Sequence, residues 1–244
     1  MIDTHAHLGE DAAEVLARAR AAGVDRVVVV ATTVADAHAA LAVADAEEGV
    51  YASLGIHPHE AGTATPADVE QLRGLLAHPK AVAVGETGLD HFRDYAPHAA
   101  QRSLFEAQLA LAAETGKPVV IHTRAADAET LELLAAHEGD VILHCFSSPA
   151  LLPEATARGW YVSFAGNVTY KNAYELRASA RAVPAERLLA ETDSPYLAPQ
   201  AVRGRRNEPA FVAHTYAALA EARGVESAAL AAQVDANANR VFRL

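Results

Sequence analysis

Among its 244 residues the chain has one cysteine, one methionine and one tryptophan, and only three of its twenty basic residues are lysines. A single cysteine excludes an intramolecular disulfide and suits a reducing compartment, so a cytoplasmic protein is expected. Positive charge is also short: 31 acidic residues face 20 basic ones, for a net charge of −11. Proteins that grip duplex nucleic acid along its length are usually basic, so that class is disfavoured. A polyanionic substrate would have to be held by metal ions and by a local group of arginines. No apolar run reaches the roughly 18 residues of a membrane helix, and no membrane partner is expected. The first residues, Met1-Ile2-Asp3-Thr4-His5, lack the basic and apolar regions of a secretory signal. Nothing in the sequence calls for an obligate protein partner.

What is present is an alternation of short apolar runs and helical patterns over residues 1–244, read as one domain with no linker and no low-complexity segment. The eight strand-like runs are Met1 to His5, Arg26 to Ala31, Val50 to Ile56, Ala81 to Glu86, Pro118 to His122, Val141 to Phe146, Trp160 to Phe164 and Arg187 to Glu191. Val27-Val28-Val29-Val30 is apolar throughout, as parallel strands covered by helices are. Helices fill the gaps, over 10–22, 36–47, 67–77, 97–115, 126–138, 149–157, 171–182, 207–222 and 226–242. Gly23 and Gly116 stand where helices stop. Leu104, Ala107 and Leu111 mark an apolar stripe on the helix over 97–115. Length and alternation predict a (β/α)8 barrel. An open doubly wound sheet is the runner-up, but it usually carries a glycine-rich phosphate loop after its first strand. Here that place holds His5-Ala6-His7.

The strand exits share one chemistry. His5 and His7 follow the first run, His57 the third, Glu86 the fourth, His122 the fifth, His144 the sixth and Asp193 the eighth. Residues i and i+2 of a strand point to the same side, so His5 and His7 can reach one ion. Imidazole and carboxylate are ordinary ligands for divalent metals. A carboxylate such as Glu86 has two oxygens and can bridge two cations in a two-metal hydrolase. Asp193 is placed to orient or deprotonate a water. In a barrel all these exits point into one mouth.

These residues lie in segments that resemble the TatD family of metal-dependent deoxyribonucleases, within the amidohydrolase-type barrels. The resemblance runs nearly end to end. It is carried by Asp3-Thr4-His5-Ala6-His7-Leu8, Gly55-Ile56-His57-Pro58-His59, Gly85-Glu86-Thr87-Gly88-Leu89-Asp90, Pro118 to Arg124, His144-Cys145-Phe146-Ser147, Phe164 to Lys171, Glu191 to Leu197 and Arg203 to Pro209. It implies a nuclease or phosphodiesterase with two, or up to three, divalent cations: Mg, Mn or Zn. The implied ligands are His5, His7, Glu86, His122, His144 and Asp193. Asp193, Glu86 and His57 are the expected catalytic groups. His57, His59, Asp90, Arg124, Lys171 and Arg205 are the expected substrate contacts. The expected substrate is nucleic acid, single-stranded or at 3′ ends. Two positions depart from the family pattern. Ser148 stands where a glycine is usual, and His91 where an aromatic residue is usual. Cys145, Trp160 and Phe164 are read as packing residues.

Rival readings use the same barrel: a lactonase, a deacetylase, or a deacylase of misacylated tRNA. Many such barrels bridge their metals with a carboxylated lysine, yet no lysine ends a strand here. A non-enzymatic metal-dependent binding protein is the reading from a different class.

Overall fold

The structure, a computed structural model, describes residues 1–244. Eight strands follow one another in chain order in a single sheet. They are β1 (Ile2–Ala6), β2 (Arg26–Val30), β3 (Val50–Leu54), β4 (Ala81–Asp90), β5 (Val119–Arg124), β6 (Val141–Leu143), β7 (Tyr161–Phe164) and β8 (Leu188–Ala190). Helices α1 (Ala12–Ala21), α2 (Val34–Ala46), α3 (Pro66–Leu75), α4 (His98–Thr115), α5 (Asp127–Leu134), α6 (Leu152–Ala157) and α7 (Tyr174–Ala182) connect them, and α8 (Val212–Arg223) and α9 (Ser227–Phe242) follow. This is the (β/α)8 barrel fold. No helix is long and apolar enough to cross a membrane.

Local chemistry sets the helix ends. Thr65 accepts from the Asp68 N–H while the Asp68 carboxylate accepts from Thr65, and Pro66 opens α3. Gly116 closes α4 in the left-handed region, at φ +64°.

Contacts divide the chain into two compact units. One comprises Met1–Val29, Glu47–Val50 and His144–Leu244; the other comprises Val30–Ala46 and Tyr51–Leu143. The first packs Ile2, Leu16, Tyr161, Phe164 and Tyr216 in its core. In it β1 meets the segment after β8: His7 N–H donates to Ser194 O at 2.7 Å and Asp193 N–H to His5 O at 3.0 Å. Asp3, wholly buried, accepts from the Thr192 N–H at 2.9 Å and the Thr192 hydroxyl at 2.6 Å. Burial pushes the Asp3 carboxyl up to about 8 against those bonds.

The second unit packs Leu54, Leu72, Leu89, Phe105, Leu111 and Ile121. Its central pair is β4 with β5. Val84 pairs with Val119 and Thr87 with Ile121, so three steps on β4 face two on β5. The extra residue is a bulge at Gly85-Glu86. Only glycine fits there, because a Cβ on Gly85 would lie 2.6 Å from Val120 O and φ is +143°.

Several boundaries differ from those expected. β4 runs four residues past Glu86, to Asp90, and β5 runs on to Arg124. The bulge explains the first case, because it turns Glu86 aside without ending the ladder. β3 stops at Leu54 and β6 at Leu143, so His57 and His144 sit in loops beyond them. On α4 the expected stripe holds at Leu104 and Leu111, which are buried, but the buried face is wider than that stripe. Ala107 is half-buried, and Gln101 and Gln108 are wholly buried.

Candidate metal centre

In the first unit, three donors converge after β1 and β8. His5 Nε2 and His7 Nε2 are 3.3 Å apart, and they lie 3.9 and 3.6 Å from Asp193 Oδ1. Two imidazole nitrogens facing each other across a buried carboxylate fit a shared cation. Burial alone raises the Asp193 carboxyl. The hydrogen bond from His7 and the fields of His144 and His5 outweigh burial and hold it below its ordinary value. His144 stacks on His5, with ring centroids 4.0 Å apart. Its Nδ1 lies 3.2 Å from Glu191 Oε1, which also accepts the Cys145 N–H at 2.8 Å. With the proton on Nδ1, His144 keeps the Nε2 lone pair for a ligand.

Sequence reasoning placed Glu191 only within a segment; the structure makes it the group that fixes the His144 ring. Its one sequence signal is an acid two residues before Asp193 at the end of an apolar run. Cys145 contributes its backbone N–H, and no cluster of potential ligands includes its thiol. Ser148 has φ −118°, which any residue adopts, so the departure from glycine costs nothing here.

The second unit gathers His57, Glu86 and His122, whose donor atoms lie within 4.8 Å of one another. Glu86 Oε1 is 2.9 Å from His122 Nδ1 and 3.4 Å from His57 Nε2. Hydrogen bonding separates the two histidines. His57 Nδ1 accepts the His59 N–H at 3.1 Å, so neutral His57 carries its proton on Nε2, as a donor. His122 instead has Asp90 Oδ2 at 3.3 Å from its Nε2. A proton on Nε2 satisfies that contact and frees Nδ1 as a lone-pair ligand beside Glu86. Burial pushes the His57 imidazole down, against the attraction of Glu86, so the ring is neutral.

Asp90 is a hub. Its Oδ2 also accepts from His59 Nε2 at 2.8 Å, and its Oδ1 accepts the N–H groups of Phe92 and Arg93 at 2.9 and 3.0 Å. Burial alone raises its carboxyl, but the bonds from His122 and His59 hold it well below the carboxylate range.

Two further groups had no sequence signal. Gln108 accepts the Ile56 N–H at 2.8 Å and donates to Ile56 O at 2.9 Å and to the Thr87 hydroxyl at 2.7 Å. It thereby ties the residue before His57 to the residue after Glu86. Gln101 accepts the Asp90 N–H and donates to Asp90 O and Ala96 O.

The expected substrate contacts separate. His59 is half-buried against Asp90. Arg124 is exposed, with its guanidinium 3.9 Å over the Phe92 ring. Arg205 lines a cleft of about 370 Å³ beside His7, with Arg206 and Asn207. Arg206 is paired with Asp11 at 2.7 Å, whereas Arg205 lies over the Phe211 ring at 4.9 Å. Lys171 is exposed, and no side-chain contact joins it to the histidine and carboxylate clusters. His91 stacks on His98 with ring centroids 3.7 Å apart.

Fold and clusters together define a (β/α)8 barrel with groups at its strand exits able to hold divalent metal. The chain belongs to the TatD related DNase family, whose model matches residues 2–243. It is 36% identical over 253 residues to the uncharacterized metal-dependent hydrolase YabD of Bacillus subtilis, covering 100% of this chain and 99% of that protein. It is 39% identical over 248 residues to the 3′-5′ ssDNA/RNA exonuclease TatD of Klebsiella pneumoniae, covering 98% and 94%. The crystal structure of YJJV, a TatD homolog from Escherichia coli, superposes with a TM-score of 0.94 at 31% identity, covering 100% of this chain and 98% of that one.

Proposed function

We propose that the chain is a metal-dependent hydrolase of nucleic-acid phosphodiesters, acting on single strands from 3′ ends as the exonuclease relative's name describes. The observation that carries the proposal is the histidine–carboxylate clustering within each unit, His5, His7 and Asp193 in one and His57, Glu86 and His122 in the other. Their donors fit a divalent cation, since neutral imidazoles and ionised carboxylates converge at ligand spacing. His5, His7, His144 and Asp193 would hold metal in one unit, and Glu86 with His122 Nδ1 in the other. Glu86 has two carboxylate oxygens, which supports it as a shared ligand of two ions. Nitrogen-rich ligation favours Zn or Mn over Mg.

Bound cations would supply Lewis acidity, lowering the pKa of water towards about 7 and offsetting charge on the phosphodiester. Asp193, held ionised by His7, accepts the proton of the attacking water. Glu191 and Asp90 keep His144 and His122 in their ligand tautomers. His57 presents its Nε2–H to a phosphate oxygen or the leaving oxygen. Because its Nδ1 lone pair already accepts the His59 N–H, this supports hydrogen-bond donation over metal ligation. Arg205, without an acidic partner, is the cation of the cleft beside His7.

The test is a panel of single-stranded DNA, single-stranded RNA, a misacylated tRNA and a simple lactone. Each is offered to chelator-stripped protein reloaded with Mg, Mn or Zn. Turnover of the oligonucleotides is expected. Turnover of the lactone or the aminoacyl ester alone would replace this reading with one of the small-ester activities.

A further inference from the structure

Few large apolar side chains are exposed, and two of them share one short loop. Phe92 is 60% exposed and Tyr95 65%, between β4 and α4. An exposed ring adds little to the core, so a pair of them needs a reason. Both stand next to the second cluster. Tyr95 packs edge-on to His59 with centroids 4.7 Å apart, and His59 lies against Asp90. Phe92 carries the Arg124 guanidinium 3.9 Å from its ring centre, with that of Arg93 at 5.4 Å.

The loop is built, not loose. Asp90 Oδ1 holds the N–H groups of Phe92 and Arg93, while its Oδ2 faces His59 and His122. At the far end, buried Gln101 donates to Ala96 O, and it also brackets the backbone of Asp90. One carboxylate and one amide thus fix both ends of the aromatic segment relative to His122. Preorganised rings lose little entropy when a flat ligand stacks on them.

Resting on the nucleic-acid reading above, we infer that Phe92 and Tyr95 form a nucleobase-stacking subsite, with Arg124 and Arg93 as its phosphate-facing cations. Aromatic platforms flanked by arginines hold single strands irrespective of sequence, because every base has a π-face. Duplex bases are stacked on each other and are not available to such a platform. The subsite therefore supplies a preference for single strands in a chain whose net charge is −11.

The experiment compares Mn-loaded wild type, Phe92→Ala, Tyr95→Ala and Phe92→Trp. The substrates are a single-stranded oligonucleotide and a strand of equal length bearing tetrahydrofuran abasic sites. Loss of one stacking contact should raise KM for the base-bearing strand by about fivefold or more. The penalty should shrink on the abasic strand, and Phe92→Trp should restore most of the affinity. Equal losses on both strands would mean a structural role and overturn the inference. So would Phe92→Ala and Tyr95→Ala variants that match wild type on the base-bearing strand, while wild-type turnover leaves the hydrolase reading intact. Wild type that cleaves neither strand would remove both readings together.

Discussion

Glu191 shares one oxygen between the His144 imidazole and the Cys145 N–H, so the ring is held by a group that need not itself touch metal or substrate. Glu191→Gln keeps the shape, but its amide can satisfy His144 only by presenting oxygen, and the charge is gone. Metal affinity should fall about 10- to 100-fold. Isothermal titration with Zn or Mn into stripped protein reads this directly, and unchanged affinity would remove Glu191 from the site. Asp193→Asn separates ligation from proton acceptance. It should keep metal, more weakly, and lose about 10²- to 10⁴-fold in kcat. Near-normal turnover would assign the proton to another group. His57→Ala should keep its full metal content and lose activity, since His57 Nδ1 is occupied by the His59 N–H. Loss of an ion would make His57 a ligand after all. At this scale the residue types with metal chemistry are legible in the sequence. The groups that hold them are not, because Glu191 and Gln108 act through geometry that no spacing reveals.

The elements are legible in number and order, but their ends are not. Continuous apolar runs mark parallel strands well. They cannot show where the hydrogen-bonded ladder stops, which is why the run predicts an end at Glu86 while β4 continues to Asp90. A glycine inside a strand is a weak sign of a bulge, and Gly85 is the only local clue. α4 misleads for another reason: a stripe drawn from apolar residues passes over Gln101 and Gln108, which are buried with hydrogen-bond partners outside the helix. Gln108 makes the element-scale prediction. Gln108→Leu fills the same space but leaves the Ile56 N–H, Ile56 C=O and Thr87 hydroxyl without their partner. Buried orphaned groups cost about 1–3 kcal/mol each, and relaxation recovers part of this. Stability should fall by about 2 kcal/mol or more in urea unfolding, with a larger fall in kcat/KM as the β3 exit shifts against Glu86. Wild-type stability would mean that the strand exits hold themselves.

The whole molecule combines a strongly acidic chain with buried clusters of histidine and carboxylate, and these two features have a common consequence. Without cations the clusters hold unshared lone pairs and negative charge in a desolvated place, which costs stability. A cation that binds the folded chain but not the unfolded one stabilises by mass action, by about 2.7 kcal/mol at a free concentration 100 times Kd. For a chain of this length about 1 kcal/mol moves Tm by roughly 2–4 °C. Saturating Zn or Mn should therefore raise Tm of chelator-stripped protein by roughly 5–11 °C for one site, and by more if both clusters fill. Glu86→Ala should lose one ion by elemental analysis and show a smaller rise, because His5, His7 and Asp193 still form a ligand cluster of their own. If stripped and reloaded wild type melt together, the clusters do not bind metal in solution. If Glu86→Ala keeps both ions and the full rise in Tm, Glu86 is not a ligand, and its place beside His122 serves the histidine rather than the metal.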